Sequence, residues 1–327
     1  MVAKLLTAII TVVIGIGAAL ALYWLLNKLA ELLPDHIEAR IKPYFYILPA
    51  YLAISVFLLY PAVLTIINSF RDAASTSFVG LQNYSDLFST PAFRDTLFTT
   101  LLWMLVVPAV TVALGLAVAV LADRLPAKWE NLSKTIIFMP MAISMVGASI
   151  VWRLIYMAPQ PGAPRVGMLN AMGGLVGLDP VAWLAENSFK LNSFLLMIIL
   201  LWAQVGFSMV LLSAAVKGVP EDTLEAARID GASERQAFFR VVVPQIKGTI
   251  ITVFVTVLIS VMKIFDIVFA TTNGQFGTNV IGNEFYNQIT TYANYGRASA
   301  IVVLLMIATI PVMWYQVRNF KREEAGL

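Results

Sequence analysis

Cysteine is absent from all 327 residues, so the chain has no disulfide, no thiolate metal ligand and no cysteine nucleophile. Histidine occurs once, at His36, which leaves too few imidazoles for a zinc or di-metal centre of the usual kind. Charge is also scarce. Asp, Glu, Lys and Arg together make up 13% of the residues, against about 25% in ordinary soluble domains. No Gly-x-x-x-x-Gly-Lys followed by Ser or Thr occurs, so nucleotide phosphates find no P-loop in this chain. H-E-x-x-H and G-x-S-x-G are missing as well, and no pair of carboxylates falls inside an apolar run. A membrane enzyme would therefore lack its working parts. Solenoid repeats and low-complexity tracts are absent too.

What is present is apolar. Hydrophobic residues make up 59% of the chain and mean hydropathy is +0.81. Seven apolar stretches fall at roughly 5–26, 44–68, 97–121, 135–157, 192–216, 249–271 and 298–317. Each reaches the ~20 residues that a hydrocarbon core about 30 Å thick requires. Lipid offers the backbone no hydrogen bonds, so all seven are expected to be helical. The expectation is an all-α polytopic membrane protein of about seven transmembrane helices. The first stretch ends in Tyr23-Trp24 without a small-residue cleavage site, which reads as a retained helix with interfacial aromatics rather than a signal peptide.

Lys and Arg are unevenly divided between the two sides. Fourteen fall in the segments 27–43, 122–134, 217–248 and 318–327, and six fall in the segments of the other side. The positive-inside rule then puts the C-terminus in the cytoplasm and the N-terminus outside. Arg153 sits near the outer end of its stretch, where its long side chain can snorkel to the interface. The outer segments carry turn signals: Pro159–Pro164, Gly173-Gly174 and Asn273-Gly274. The aromatics Phe285, Tyr286, Tyr292 and Tyr295 there read first as interface anchors.

The longest polar interval between two strongly apolar runs is Lys217–Lys247, and its chemistry is that of two short helices and a corner. Pro220 suits a first helical position, because its missing N–H had no partner there. Glu221 and Asp222 offset the positive end of the helix dipole. Gly231 stands where a left-handed C-terminal cap is expected. Ser233 and Gln236 have the spacing of a capping box, and Pro244 closes the second helix. The whole interval reads as an ordered cytoplasmic element.

Glu225-Ala226-Ala227, then Gly231 after three residues, then nine residues and Val241-x-Val243-Pro244, resemble the EAA loop of ABC importer permeases. Val stands for the Ile and Leu of that pattern. Leu48-Pro49, Leu59-Tyr60-Pro61 with Ser69-Phe70, and Val79-Gly80-Leu81-x-Asn83-Tyr84 resemble MalF-type sugar permeases. Trp152, Leu169-Asn170, Trp183-Leu184 and Phe265-Asp266 match further positions of that pattern. Many members continue with T-x-G-G-P, where this chain reads NGQFGTNVIGNEFY. With Gly296-Arg297-Ala298-Ser299-Ala300, that departure looks most like the α-glucoside branch.

The resemblance implies a six-helix permease core plus an extra N-terminal helix. The expected layout is a first helix and linker at 1–43, a permease domain at 44–320 with a coupling loop at 217–247, and a tail at 321–327. It also implies a second homologous permease, two ATPase copies that hold ATP and Mg, an extracytoplasmic solute-binding protein, and no nucleic acid. Glu225, Ala226, Ala227, Asp230, Gly231 and Pro244 would then face the ATPase. The implied role is transport of a sugar, an α-glucoside or related oligosaccharide, with no catalysis in this chain. A non-sugar solute, or a stand-alone secondary transporter, are the alternatives.

Polar groups inside the stretches point to a passage or to packing. Lys263 and Asp266 are three apart, share a helix face and are expected to neutralise one another. Gln204 and Ser208 are four apart with Phe207 between them, so a ring flanked by amide and hydroxyl groups would suit a sugar. Both sets serve equally well as contacts between helices.

Overall fold

Breaks, rather than the apolar runs alone, decide how these helices lie. In the computed structural model, which describes residues 2–32, 34–160 and 166–324, the described residues contain no strand beyond one isolated bridge between Arg71 and Phe78. Among the described residues, five helical stretches are long and apolar enough to cross a membrane: Leu6–Glu31, Arg40–Asn68, Pro91–Ala122, Ser188–Lys217 and Tyr295–Arg318. Two sharply bent pairs raise the number to as many as seven. Residues 161–165, in the first outer turn segment, and 325–327, in the expected tail, lie outside the described residues.

The chain divides into two compact units, Met1–Ile67 and Asn68–Leu327. The expected boundary at 43/44 therefore falls inside the first unit. That unit holds α1 (Val2–Glu31), α2 (Asp35–Ile54) and all but the last residue of α3 (Tyr60–Asn68). Tyr46 stacks on Tyr23 at 6.0 Å and donates to Asn27 Oδ1 at 3.1 Å, pinning α2 to α1. A π-turn, Ser55–Leu59, joins α2 to α3 immediately before Tyr60-Pro61. Widening the turn relieves the clash a proline ring makes with the carbonyl one turn back.

In the second unit α4 (Gln82–Ser89) leads to α5 (Pro91–Ala122). In the loop before them, hydrogen bonds from the Thr76 and Ser77 amides hold the Asp72 carboxyl below its ordinary range. After α5 come α6 (Ala127–Phe138), α7 (Met145–Ile155), α8 (Met168–Leu175) and α9 (Leu191–Lys217). α9 is the hub, with more than half of its apolar stretch buried. Leu196, Met197, Ile199, Met209 and Leu212 of α9 join Trp103 and Val107 of α5 in the core, with Val253, Val257 and Val261 from a later helix. Glycines let backbones approach. A Cβ on Gly115 of α5 would lie 2.3 Å from Ser208 Oγ, and one on Gly206 of α9 would lie 2.4 Å from the Ile137 carbonyl oxygen of α6.

Two expected spans are broken rather than continuous helices. The stretch 135–157 is not one helix: a bend of 101° separates Ala127–Ala142 from Met145–Ile155. Pro140 lies in a tight 3₁₀ turn there, Ile143 is extended, and Ser144 opens α7 as an N-cap accepting from the Gly147 amide at 3.1 Å. The stretch 249–271 is also broken. Its main helix, α13 (Lys247–Met262), has 16 residues and stops at Lys263. α14 (Asp266–Thr271) follows, and Gly282 of α15 (Ile281–Thr290) seats against the Ile264 carbonyl between them. The last described element is α16 (Tyr295–Glu324).

Candidate functional site

The polar interval after α9 folds as two helices and a corner. α10 spans Glu221–Ile229, with Pro220 as the extended N-cap just before it, one position earlier than its sequence suggested. Asp230 is the C-cap and Gly231 follows at φ +79°. The Gly231 amide donates to the Arg228 carbonyl at 3.0 Å, and the Ala232 amide reaches back to Ala227 at 3.0 Å. This is the paired closure of a Schellman motif, and it needs a residue that tolerates positive φ. Nothing lies within 4 Å of a Cβ built on Gly231, so the requirement comes from the backbone alone.

The second helix begins with a complete capping box. Ser233 Oγ accepts from the Gln236 amide, and the Gln236 side chain accepts from the Ser233 amide at 2.8 Å. α11 (Glu234–Ala237) passes into a π-turn, Phe238–Val242, and then into α12 (Val243–Gln245). The helix thus runs one residue past Pro244, and the stop is at Ile246, where the direction changes by 68°. The same device serves at Pro61 and at Pro244: a π-turn ends two residues before each proline.

Glu225, Ala226, Asp230, Gly231 and Pro244 are exposed, and Ala227 is half-buried. The Glu225 side chain makes no hydrogen bond within the described residues. Ile229, at the end of α10, is 86% exposed, an apolar residue left bare at a helix tip. Arg228 Nε meets Glu234 Oε1 at 3.1 Å and ties α10 to α11. Together these make a hook, capped at both turns, whose outer face is exposed.

The second set of residues is only partly brought together. Ser208 is fully buried against Gly115, and its hydroxyl has no partner within the described residues. It fills a helix contact and does not line an opening. Gln204 and Phe207 are half-buried. Lys263 and Asp266 are both exposed and form no ion pair with each other, because the helix that would have aligned them ends at Met262. Lys263 instead borders an apolar groove of about 400 Å3 between α13 and α16, lined by Ile259, Met262, Leu305 and Met306.

Sequence reasoning missed two groupings. Phe265, Phe269 and Tyr286 form a ring trio with centroids 4.9–5.0 Å apart, partly exposed beside Asp266. The spacing of Phe265 and Phe269 was a signal, but Tyr286 reaches them through the fold of α15. At the far end of α9, Asp123, Glu130, Lys134, Ser213 and Lys217 share hydrogen bonds, of which only Glu130 and Lys134, four apart, were visible as a pair.

The profile described as "Binding-protein-dependent transport system inner membrane component" matches residues 112–323, a range that includes the hook. The chain is 41% identical over 337 residues to the alpha-glucoside transport system permease protein AglF of Rhizobium meliloti (strain 1021), covering 99% of both chains. It is 44% identical over 279 residues to the osmoprotective compounds uptake permease protein GgtC of Synechocystis sp. (strain ATCC 27184 / PCC 6803 / Kazusa), covering 85% of this chain and 99% of that one. Among solved structures it resembles a chain of a bacterial ABC transporter involved in the import of the acidic polysaccharide alginate. The TM-score is 0.74 at 20% identity, over 88% of this chain and 99% of the other. A second likeness, TM-score 0.71 at 21% identity over 86% and 94%, is to a bacterial alginate ABC transporter in complex with an alginate pentasaccharide-bound periplasmic protein. At these identities the likeness is one of fold.

Proposed function

The chain belongs to the family of binding-protein-dependent transport system inner membrane components, and from that premise we propose that it is the permease subunit through which an ATP-binding-cassette importer admits an α-glucoside or related oligosaccharide. The observation that carries the reading is the exposed hook of α10 and α11, capped at both turns and set at the end of the buried helix α9. A short capped helix transmits a rigid-body push, where a loose loop would absorb it. Glu225, Ala226, Ala227, Asp230 and Gly231 are the residues offered to the ATPase, and Pro244 holds the far turn. ATP and Mg are held by the ATPase subunits, so this chain binds neither and catalyses nothing.

The working assembly is this chain with a second homologous permease, two ATPase copies and an extracytoplasmic solute-binding protein. The hook and C-terminus face the cytoplasm, with the N-terminus outside. The sugar reading draws on the AglF relative, on Gln204 and Phe207, and on Asp266 with the ring trio beside it, since rings stack on pyranose faces while amide and carboxylate groups bind hydroxyls. The GgtC relative favours a second reading, an osmoprotective solute. The test is uptake by the reconstituted complex against a panel of α-linked disaccharides and osmoprotective solutes. ATP-dependent uptake of the former, insensitive to an uncoupler, is the expected result. Uptake that proceeds without the ATPase and collapses with an uncoupler would make it a secondary transporter.

A further inference from the structure

Where α5 ends, α6 begins and α9 ends, five side chains close into one network. Lys134 donates to Asp123, to Glu130 at 2.6 Å and to Ser213, and Ser213 in turn donates to Asp123 at 2.8 Å. Lys217, the last residue of α9, donates to Glu130 and lies 3.7 Å from Asp123. The side chains of Asp123, Glu130 and Lys134 are all more than four-fifths buried, while Lys217 is 51% exposed. Two carboxylates and two ammonium groups balance, so the network holds no net charge.

Its position gives it more than local meaning. Lys217 stands three residues before Pro220, the N-cap of α10, and the Gly218 amide still bonds to the Ala214 and Ala215 carbonyls. Displacement of the hook therefore arrives at the root of α9. The direct contact beneath the hook is partly hollow. Leu224 and Arg228 of α10 share a cavity of about 240 Å3 with Val120 and Arg124 near the end of α5 and Val216 of α9. The ionic network does not depend on that contact: it ties α9 to α6 through Lys217 and Glu130, and α6 to α5 through Lys134 and Asp123.

We propose that the Asp123–Glu130–Lys134–Ser213–Lys217 network is a second transmission joint, which makes the ends of α5, α6 and α9 move as one body when α10 is displaced. Lys217 and Glu130 are positioning residues for coupling, acting through each other. The inference rests on the reading of α10 as the element the ATPase engages. Removing either Lys217 or Glu130 unbalances the charge of the network and cuts the tie from α9 to α6, while Lys134 keeps a carboxylate partner, so the loss is one of geometry at the joint. An arginine at 217 keeps the charge and the reach.

The experiment uses the complete reconstituted complex in proteoliposomes, with Lys217→Met, Glu130→Gln, the double variant and Lys217→Arg. Two quantities are read in each: ATPase co-purification, and solute molecules moved per ATP hydrolysed. Co-purification is expected to match the unaltered complex throughout. The solute-to-ATP ratio is expected to fall at least about fivefold in either single variant, to fall no further in the double, and to stay above about half in Lys217→Arg. An unaltered ratio in both Lys217→Met and Glu130→Gln, or losses that multiply in the double, would overturn the joint. Failure of the unaltered chain to hold the ATPase would instead overturn the reading of the hook.

Discussion

Gly115 of α5 and Ser208 of α9 meet so closely that a Cβ on the glycine would lie 2.3 Å from the serine oxygen. The contact fixes the α5–α9 pair and takes Ser208 out of any passage. Gly115→Ala is expected to force the helices apart at a cost of about 1–3 kcal/mol, the usual range for overpacking. Ser208→Ala removes a buried hydroxyl that has no partner, and is expected to leave both stability and substrate preference close to the original. Thermal unfolding in detergent and a substrate-competition profile check the two outcomes. A changed preference in Ser208→Ala would return that residue to the solute path.

The hook makes a sharper claim on Gly231. With φ at +79° and open space around it, an added side chain meets backbone strain but no neighbour. Gly231→Val is expected to cost about 1–3 kcal/mol locally and to loosen the Schellman closure. ATPase co-purification and solute-stimulated hydrolysis should both drop, with membrane insertion unchanged. Gly231→Asn should be milder, because Asn enters the left-handed region more readily than a β-branched residue. Ala226→Ser should be milder still. Full coupling in Gly231→Val would remove the corner from the mechanism.

The hook was legible in the sequence because each of its parts is a local rule: a proline before a helix, carboxylates in its first turn, a glycine after it, a capping box next. The apolar runs were legible for the same reason. The two bends were not. Ser144 as an N-cap and the stop at Lys263 sit inside stretches apolar enough overall to read as unbroken spans, and at the second Gly282 packs in from another helix. The facing of Ser208 was hidden likewise, since helical spacing groups it with Gln204 but only the glycine on α5 decides what it meets. The ring trio and the ionic network bring together residues from distant parts of the chain, and such meetings leave little trace in spacing.

Lys263 and Asp266 give the third prediction. The break after Met262 leaves them unpaired, so charge neutralisation cannot be what retains them. Lys263→Ala and Asp266→Ala are each expected to assemble and insert normally, and the double variant should show no mutual rescue. Asp266→Ala, beside the rings of Phe265, Phe269 and Tyr286, is expected to lower uptake severalfold. Lys263→Ala, at the rim of an apolar groove, should change it far less. Assembly defects cured by combining the two changes would mean that the pair forms after all.

Topology provides the last prediction, and it tests the charge argument directly. Arg228 and Arg235 lie in the hook, Lys217 and Arg240 flank it, and Arg318 lies near the end of α16; by the positive-inside rule they share the cytoplasmic side. The hook follows α9 at its Lys217 end, while Lys190 at the other end of that helix pairs with Asp95 at 2.7 Å near the start of α5. The two ends of α9 and α5 are therefore on opposite faces of the second unit. A cysteine introduced at Arg235 in this cysteine-free chain should react with a membrane-impermeant maleimide only in inverted vesicles. One introduced at exposed Phe189 should react only in intact cells or right-side-out vesicles. A tag before Val2 should be reached from outside, because an odd number of crossings separates it from the C-terminus. A tag reached only from the cytoplasm, with the Arg235 result unchanged, would mean that α1 does not cross and that the count of seven is one too many.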